Sequence, residues 1–346
     1  MRMGSGHFDI YYSSFKNIML EWWNGIHARL KIVCRKAYGF KSHLQHHMKK
    51  SKPKILVIVG PTASGKTSLS IQLAQKFNGE IVSADSRQVY RGLDLGTGKV
   101  TKEEMQGVPH HLLDVAYSRD VYTVADFVRD GRTATQNILS RNHLPIIVGG
   151  TFFYSDALLG RVTTPEVSPN TPLRTHLDTL GLDELNTLLK EKDPLRAKTI
   201  DTKNKRKLIR ALEIVDALGA VPTNITNELY DTLTIGITIS REILKENIHI
   251  RLTNRLKKGM VTEVQELHKN GLPYTRMHDL GIEYRYIAKY LQGEISEEEM
   301  QIQIETKSLQ YAKRQMTWLK RDTSIRWFEP HDILMISNEV RTFYKL

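Results

Sequence analysis

The chain has 346 residues, of which 50 are lysine or arginine and 38 are aspartate or glutamate, so its formal net charge is +12. Hydrophobic residues make up 40% and charged residues 25%, a balance that is ordinary for globular proteins and excludes disordered and collagen-like classes. The longest aliphatic run, residues 55–59, falls far short of the ~20 residues of a membrane-spanning helix, and one cysteine excludes an internal disulfide and a cysteine-rich zinc site.

Residues 1–50 form a basic N-terminal extension that we expect to lie outside the catalytic fold. Nine basic against two acidic residues give this segment +7 of the total +12 and leave +5 for the other 296 residues. Its apolar residues recur at helical spacing and predict a basic amphipathic helix: Ile18, Trp22, Ile26, Leu30 and Val33. The segment suits a mitochondrial targeting peptide, an arm for a membrane or nucleic acid, or a stretch that is not translated. The last interpretation rests on Met48, because a few basic residues there lead straight into the first strand.

A phosphate-binding loop follows the first predicted strand, an apolar β-branched run at residues 55–59. Residues 60–67 match the pattern G-x-x-x-x-G-K-[ST], and a predicted helix over 65–77 completes the strand–loop–helix context that the motif requires. Such a loop turns backbone N–H groups toward an anion, while its lysine adds a point charge and its threonine hydroxyl reaches Mg²⁺. The candidate phosphate- or diphosphate-binding residues are Gly60, Thr62, Ala63, Ser64, Gly65, Lys66 and Thr67, with Thr67 as the candidate metal ligand.

Asp85 ends the next predicted strand, over residues 80–85. The two strands and the helix between them predict a right-handed βαβ crossover, so both strand ends open onto the same edge of the sheet. A carboxylate beside a bound anion suits a general base; the alternatives for a lone acid at a strand end are a helix cap and a surface position. The strand at 144–148 ends in two glycines and Thr151 instead of an acid, so the phosphate loop alone does not predict hydrolysis of a nucleoside triphosphate.

Further motifs complete an ordered series along the chain. After the phosphate loop come Asp85-Ser-Arg-Gln-Val-Tyr90, Gly96-Thr-Gly-Lys99, Pro109-His-His-Leu-Leu-Asp114, Gly149-Gly-Thr151 with Tyr154, Arg210-Ala-Leu-Glu213 and Gln310-Tyr-Ala-Lys-Arg-Gln-Met-Thr-Trp318. Over about residues 53–330 the series closely resembles the tRNA dimethylallyltransferases, the adenosine isopentenyltransferases that modify the base 3′ of the anticodon.

The resemblance implies that dimethylallyl diphosphate binds the phosphate loop and that N6 of adenosine attacks its allylic C1. Asp85 matches the family's general base, and Thr67 with a Mg²⁺ cofactor matches its diphosphate site. A late arginine also contacts the diphosphate in the family. Arg251 and Arg255 lie at i and i+4 on one helix face, and we favour Arg251; the alternative for both is a solvated, salt-bridging face.

The resemblance also implies a tRNA anticodon stem-loop as partner, whose base must leave the loop to reach the diphosphate. A first group, residues 85–88 with Thr151, matches family tRNA contacts, and a second is the basic run at residues 203–210. Arg174 is expected near the root of a tRNA-clasping insertion. A third group is a basic and aromatic stripe at helical spacing (Lys307, Tyr311, Arg314, Trp318), for which core packing of the two aromatics is the alternative. The candidate tRNA-binding residues are Asp85, Ser86, Arg87, Gln88, Thr151, Arg174, Arg206, Lys207, Arg210 and Arg314. His110 and His111 are expected to be metal-free.

The predicted fold is α/β, a P-loop-type parallel sheet with helices on both faces and a helical insertion domain. Strands are predicted near 55–59, 80–85, 113–115, 144–148 and 235–239. The predicted organisation is extension 1–50, first core part 51–163, helical tRNA-binding insertion 164–233, second core part 234–330 with helices near 242–270 and 296–321, and tail 331–346.

Two other enzymes share part of this pattern: a P-loop kinase of a small metabolite, and an adenylate isopentenyltransferase that acts on free AMP. A non-catalytic RNA-binding module is a third possibility, which the complete phosphate loop disfavours. Eukaryotic relatives often carry a zinc-finger region, and no cysteine follows Cys34. We therefore expect a bacterial-type cytoplasmic enzyme, monomeric and without a membrane partner.

Overall fold

Six parallel strands form the centre of the fold, in the spatial order β3-β2-β4-β1-β5-β6. The structure, a computed structural model, describes residues 51–223 and 226–345, so the interpretations of residues 1–50 lie outside the described residues. The strands are β1 (Lys54–Val59), β2 (Gly79–Ser83), β3 (His110–His111), β4 (Leu144–Val148), β5 (Asp231–Ile237) and β6 (Arg326–Phe328).

The strand order refines the predicted crossover. β4 lies between β1 and β2, since Ile146 pairs with Leu56 on one side and Ile81 on the other. The connection from β1 to β2 therefore passes over one strand, and both strands still end at the same edge of the sheet. β5 starts at Asp231, inside the predicted boundary of the insertion, and β6 has no counterpart in the prediction.

The predicted strand at 113–115 is wrong. The strand in this region is the two-residue β3, which pairs with Ile81 and Val82 of β2. Leu112 and Asp114 have φ angles of 65° and 56°, left-handed conformations that end an extended strand. The chain next pairs with the segment after β2 at Ala116, which forms an isolated bridge with Tyr90, just beyond residues 85–88.

Fourteen helices belong to the described residues. The first seven are α1 (Lys66–Lys76), α2 (Lys102–Met105), α3 (Val124–Ser140), α4 (Phe152–Leu159), α5 (Thr171–Thr179), α6 (Leu182–Lys192) and α7 (Pro194–Thr199). The others are α8 (Lys205–Leu218), α9 (Arg241–Lys257), α10 (Met260–Lys269), α11 (Tyr274–Leu280), α12 (Ile282–Leu291), α13 (Glu297–Leu319) and α14 (Ile333–Tyr344). None of the described helices is long and apolar enough to cross a membrane.

Helices cover both faces of the sheet, which confirms the predicted fold class. Alternate residues of β1 enter opposite clusters: Val57 packs with Phe127 of α3 and Leu158 of α4, while Ile58 packs with α1 and α14. Each fully buried aliphatic or aromatic side chain contributes roughly 1.5–3 kcal/mol relative to its exposed state. Val340 of α14 is fully buried in the second cluster, so the helix Ile333–Tyr344 covers the sheet, where we expected a tail over residues 331–346.

Two further helical regions pack around apolar clusters of their own. Helices α5 to α8 pack around their own cluster, which contains Leu185, Leu189 and Leu208. Helices α9 to α12 contribute to another, centred on the buried Tyr284. The single helix expected over 242–270 is two helices, because the chain turns at Gly259 with a φ angle of 96°.

Candidate active site

A cavity of about 600 Å³ opens at the edge where β1, β2 and β4 end. The phosphate loop and the Asp85 loop form part of its wall, and helices α9 and α13 contribute side chains. Carboxyl ends of parallel strands are the usual ligand sites of α/β proteins. Five of the lining residues carry the chemical groups discussed below: Lys66, Thr67, Asp85, Arg251 and Gln315.

The phosphate loop has the backbone that its glycines predict. Gly60 has a φ angle of 154°, and a Cβ there would lie 2.9 Å from the Ile237 carbonyl oxygen of β5. Gly65 has a φ angle of 87° and precedes the first residue of α1, so the loop delivers its amides to a helix N-terminus. Nζ of Lys66 donates a hydrogen bond to the Pro61 carbonyl at 2.6 Å, while Thr67 is exposed at the cavity.

The structure separates Arg251 from Arg255, which the sequence placed on one helix face. Arg255 forms an ion pair with Glu283 at 3.1 Å and donates hydrogen bonds to the carbonyls of Leu95 and Gly96. Arg251 lines the cavity, and within the described part of the chain its guanidinium has no hydrogen bond or ion pair. Arg255 thus forms a salt bridge, but a largely buried one and not the solvated pair that was the alternative for both arginines, and Arg251 is available to a ligand.

Two cations converge beside the phosphate loop. Burial, and then the positive charge of Arg251, lower the pKa of Lys66 to about 7, against an opposing effect of Asp85. Burial, and then the charge of Arg255, lower the pKa of Arg251 below its ordinary value. A polyanionic ligand would relieve this repulsion, so the electrostatics of the cavity favour binding of a diphosphate.

The lowered pKa of Lys66 should make binding of a diphosphate depend on pH. A bound anion raises the pKa of Lys66 above its free value of about 7, so affinity should fall as pH rises from there toward the raised value. At pH 8 most unliganded Lys66 is neutral, and binding should take up as much as about one proton. Titration calorimetry with inorganic diphosphate in buffers of different ionisation enthalpy measures this uptake. Lys66→Arg, which stays charged, should bind without it; equal uptake by both proteins would assign the proton to another group.

Asp85 caps the turn that follows it and also faces the cavity. Its Oδ1 accepts hydrogen bonds from the backbone N–H groups of Arg87 at 2.8 Å and Gln88 at 3.4 Å, which caps the turn. Its Oδ2 accepts no hydrogen bond from any described residue, and Asp85 lines the cavity. One carboxylate oxygen therefore orders the loop, and the other is free to accept a proton from a ligand.

Thr151 fastens the Asp85 loop to the end of β4. Its backbone N–H donates to the Ala84 carbonyl at 3.1 Å, and its Oγ1 accepts a hydrogen bond from the Ser86 N–H at 3.0 Å. Gln88 reaches across the cavity wall and donates to the Gly98 carbonyl at 3.3 Å. The guanidinium of Arg87 is half-buried and has no hydrogen bond within residues 51–223 and 226–345.

Two residues that sequence reasoning did not single out organise the cavity walls. Glu263 accepts hydrogen bonds from three successive backbone N–H groups, at Asp94, Leu95 and Gly96. Gln315 contacts both the phosphate loop and the loop after β4. Gln315 lies inside the quoted motif 310–318, which was the available signal; Glu263 belongs to no motif.

The basic residues of α5 and α8 do not line the cavity. Arg174 and Arg210 both donate hydrogen bonds to the carboxylate of Glu213, which is only 1% exposed. Burial alone would raise the pKa of Glu213, but these bonds and one from the Asn170 N–H lower it to about 2. Arg206 and Lys207 form exposed ion pairs instead, with Asp279 at 3.2 Å and Asp201 at 3.5 Å.

The stripe on α13 divides between cavity and surface. Tyr311 lines the cavity and donates a hydrogen bond to the Gly150 carbonyl at 3.3 Å, and burial raises its pKa to about 12. Trp318 is 42% exposed, so neither aromatic packs in the core. Arg314 is exposed, with its guanidinium 5.9 Å from the centre of the Tyr311 ring, and Lys307 donates a hydrogen bond to Gln310.

The two histidines of β3 have protein partners. His110 bonds the Val108 carbonyl through Nδ1, and His111 bonds the buried Glu80 through Nε2. Burial would raise the pKa of Glu80, but hydrogen bonds from His111, Arg141 and His143 lower it to about 2. Among the described residues, no group of three or more His, Cys, Asp or Glu side chains could hold a metal ion.

Comparisons with known proteins show which family has this sequence pattern and fold. The model of the IPP transferase family matches residues 88–322. A tRNA dimethylallyltransferase of Bacillus pumilus is 38% identical over 291 residues, which cover 82% of this chain and 91% of the relative. The tRNA dimethylallyltransferase 1 of Geotalea uraniireducens is 40% identical over 279 residues, covering 80% of this chain and 92% of the relative.

Solved structures share the fold. The tRNA isopentenylpyrophosphate transferase of Bacillus halodurans superposes with a TM-score of 0.65 at 34% identity, covering 85% of this chain and 97% of the other. A eukaryotic dimethylallyltransferase acting on tRNA gives a TM-score of 0.69 at 26% identity, covering 81% of this chain and 75% of the other. The matches extend over most of the described residues.

Proposed function

Because the chain belongs to the IPP transferase family, we propose that it transfers a dimethylallyl group from dimethylallyl diphosphate to N6 of the adenosine 3′ of the anticodon in tRNA, releasing diphosphate. One observation carries the chemistry. A single cavity holds a phosphate loop with two cations, Lys66 and Arg251, and the carboxylate of Asp85. A small-metabolite kinase would use the same loop and an acid, and the match to the IPP transferase family is what favours dimethylallyl transfer over phosphoryl transfer.

The residues of the cavity divide the work of the reaction. The adenine amine is a weak nucleophile because its lone pair is delocalised into the ring, so a base must remove its proton. Oδ2 of Asp85 takes that proton as the N6–C1 bond forms and the bond from C1 to the diphosphate oxygen breaks. Lys66, Arg251 and the amides of the phosphate loop stabilise the negative charge on the departing diphosphate.

Mg²⁺ fits the donor set beside Thr67. The ion prefers oxygen ligands and is often held by one or two protein groups together with substrate phosphates and water. The exposed hydroxyl of Thr67 is such a group at the N-terminus of α1. When bound, Mg²⁺ supplies further neutralisation of the diphosphate charge.

The ion pairs on the helical segment suggest how tRNA is bound. Exposed salt bridges contribute little stability, so phosphates can replace Asp279 and Asp201 as partners of Arg206 and Lys207. Arg174 and Arg210 keep their bonds to buried Glu213 and present only their exposed sides to RNA. The reacting base lies beside four residues of the cavity region, Ser86, Arg87, Gln88 and Thr151. Arg314 extends the contact with tRNA along α13. We expect a monomer in a cytoplasm of bacterial type.

A label-transfer experiment tests the proposed function against its rivals. The purified protein is incubated with Mg²⁺ and allyl-labelled dimethylallyl diphosphate, with either unmodified tRNA or AMP as acceptor, and separately with γ-labelled ATP. We expect label in tRNA alone. Label in AMP but not in tRNA would assign the chain to the adenylate isopentenyltransferases, and phosphate transfer from ATP would indicate a kinase.

A further inference from the structure

Gln315 joins two loops that are far apart in the sequence. It lies on α13 and is 4% exposed. Its Oε1 accepts a hydrogen bond from the Thr62 N–H of the phosphate loop at 2.8 Å, and its Nε2 donates to the Gly150 carbonyl at 2.9 Å. The neutral amide therefore satisfies one donor and one acceptor of the backbone at once.

The loop held by Gln315 leads directly to the proton acceptor. Gly150 precedes Thr151, which binds the backbone of Ala84 and Ser86 on either side of Asp85. A connected path of hydrogen bonds and one peptide bond, from Gly150 to Thr151, thus runs from the phosphate loop through Gln315 to the Asp85 loop. Its two ends are the elements that hold the electrophile and the base in the proposed reaction.

We propose that Gln315 is a positioning residue that sets the distance between the diphosphate cradle and Asp85. This inference rests on the proposed function and adds a residue that touches neither the reacting carbon nor the transferred proton. Orientation of two reactants can supply a large part of a rate enhancement, and a displacement of about 1 Å can cost about 10²-fold in rate. Gln315 provides this orientation through backbone atoms.

The geometry around Gly150 shows why a glycine and a glutamine meet there. A Cβ added at Gly150 would lie 2.8 Å from Nε2 of Gln315. Among the described residues, its chain neighbours aside, the only other atom within 4 Å is Oδ2 of Asp85 at 3.9 Å. Gly150→Ala should therefore displace the end of one flexible side chain and leave the backbone in place. It disturbs the hydrogen bond between Gln315 and the Gly150 carbonyl from the opposite side.

The first test compares Gln315→Met with Gln310→Met, a matched control on the exposed side of the same helix. We expect Gln315→Met to lower kcat for dimethylallyl transfer by about 10–100-fold, with KM for tRNA and for dimethylallyl diphosphate within about threefold of wild type. Gly150→Ala should show the same pattern. The double variant should have a kcat only slightly below that of the less active single variant, because both changes break the same contact. Gln310→Met should match wild type.

The second test uses pH. Gln315→Glu introduces a carboxyl group that can replace both hydrogen bonds only when protonated, and its ionised form adds a like charge near Asp85. The activity of Gln315→Glu relative to wild type should therefore rise at least threefold as pH falls from 8 to 6, whereas the ratios for Gln315→Met and Gln310→Glu stay constant.

Three results would overturn the inference: kcat of Gln315→Met and Gly150→Ala within twofold of Gln310→Met, a loss confined to KM, or a ratio for Gln315→Glu that does not change with pH. If wild-type protein transfers no dimethylallyl group, the proposed function fails and the positioning role falls with it. If wild type is active and the variants behave like the control, only the positioning role fails.

Discussion

Asp85→Asn should lower kcat for dimethylallyl transfer by about 10²–10⁴-fold, the range that general-base catalysis contributes. Asparagine keeps an oxygen for the N–H groups of Arg87 and Gln88, so the turn that Asp85 caps should persist. It loses the free carboxylate oxygen that takes the proton from N6. Binding of tRNA should change by less than about threefold, because the phosphate contacts that dominate affinity lie elsewhere.

Single-turnover kinetics with pre-bound tRNA separate these two effects. Asp183→Asn, which changes an exposed carboxylate on α6, is the matched control and should behave as wild type. If Asp85→Asn instead loses tRNA affinity in proportion to its loss of rate, Asp85 positions the base and another group removes the proton.

Arg251→Gln should have the second-largest effect, lowering kcat by about 10²–10³-fold, as expected for loss of one group that stabilises developing negative charge. The variant removes a cation that has no partner among the described residues, so the free energy of unfolding should not fall. Arg255→Gln makes a sharp contrast, because Arg255 bonds Glu283 and the carbonyls of Leu95 and Gly96. Its free energy of unfolding should fall by about 1–3 kcal/mol.

The pair of variants is measured by kcat at saturating substrates and by urea unfolding. If Arg251 stabilises the diphosphate, the rate defect should appear in Arg251→Gln and the stability defect in Arg255→Gln. The reverse pattern would show that Arg255 is the arginine that stabilises the diphosphate.

The phosphate loop and the place of Asp85 were predictable because each follows from local pattern and strand direction. A strand, a glycine-rich loop and a helix fix residues 60–67 with no knowledge of the rest of the chain. Parallel strands end at one edge, so Asp85 had to lie near the loop whichever strand was inserted between β1 and β2. The insertion of β4 itself depends on long-range pairing, which no local pattern records.

The parts that sequence reasoning missed involve backbone partners and conformations. Gln315 and Glu263 bind backbone N–H and carbonyl groups of distant loops, and such targets leave no pattern in the sequence. The wrong strand at 113–115 reflects left-handed backbone at Leu112 and Asp114. Asp adopts this conformation more often than most residues, but a leucine gives no signal for it. Helical spacing could not separate Arg251 from Arg255, because both project from one face and only tertiary partners distinguish them.

The basic segment shows the same limit from another side. The sequence shows a basic run at residues 203–210, most of which lies on α8. The sequence could not predict that Glu213 is buried and binds both Arg174 and Arg210. The bond to Arg174 joins α8 to α5, a tertiary contact between two helices that are distant in the sequence. The charges available to RNA are therefore fewer than the sequence suggests.

Nucleoside analysis of the RNA product tests the central claim most directly. Wild-type protein, Mg²⁺ and dimethylallyl diphosphate are incubated with two anticodon stem-loops that differ only in having adenosine or guanosine 3′ of the anticodon, and the digested RNA is examined by mass spectrometry. We expect N6-dimethylallyladenosine from the first stem-loop and no modified nucleoside from the second. Absence of this nucleoside from the first, or prenylation of both RNAs, would contradict the central claim.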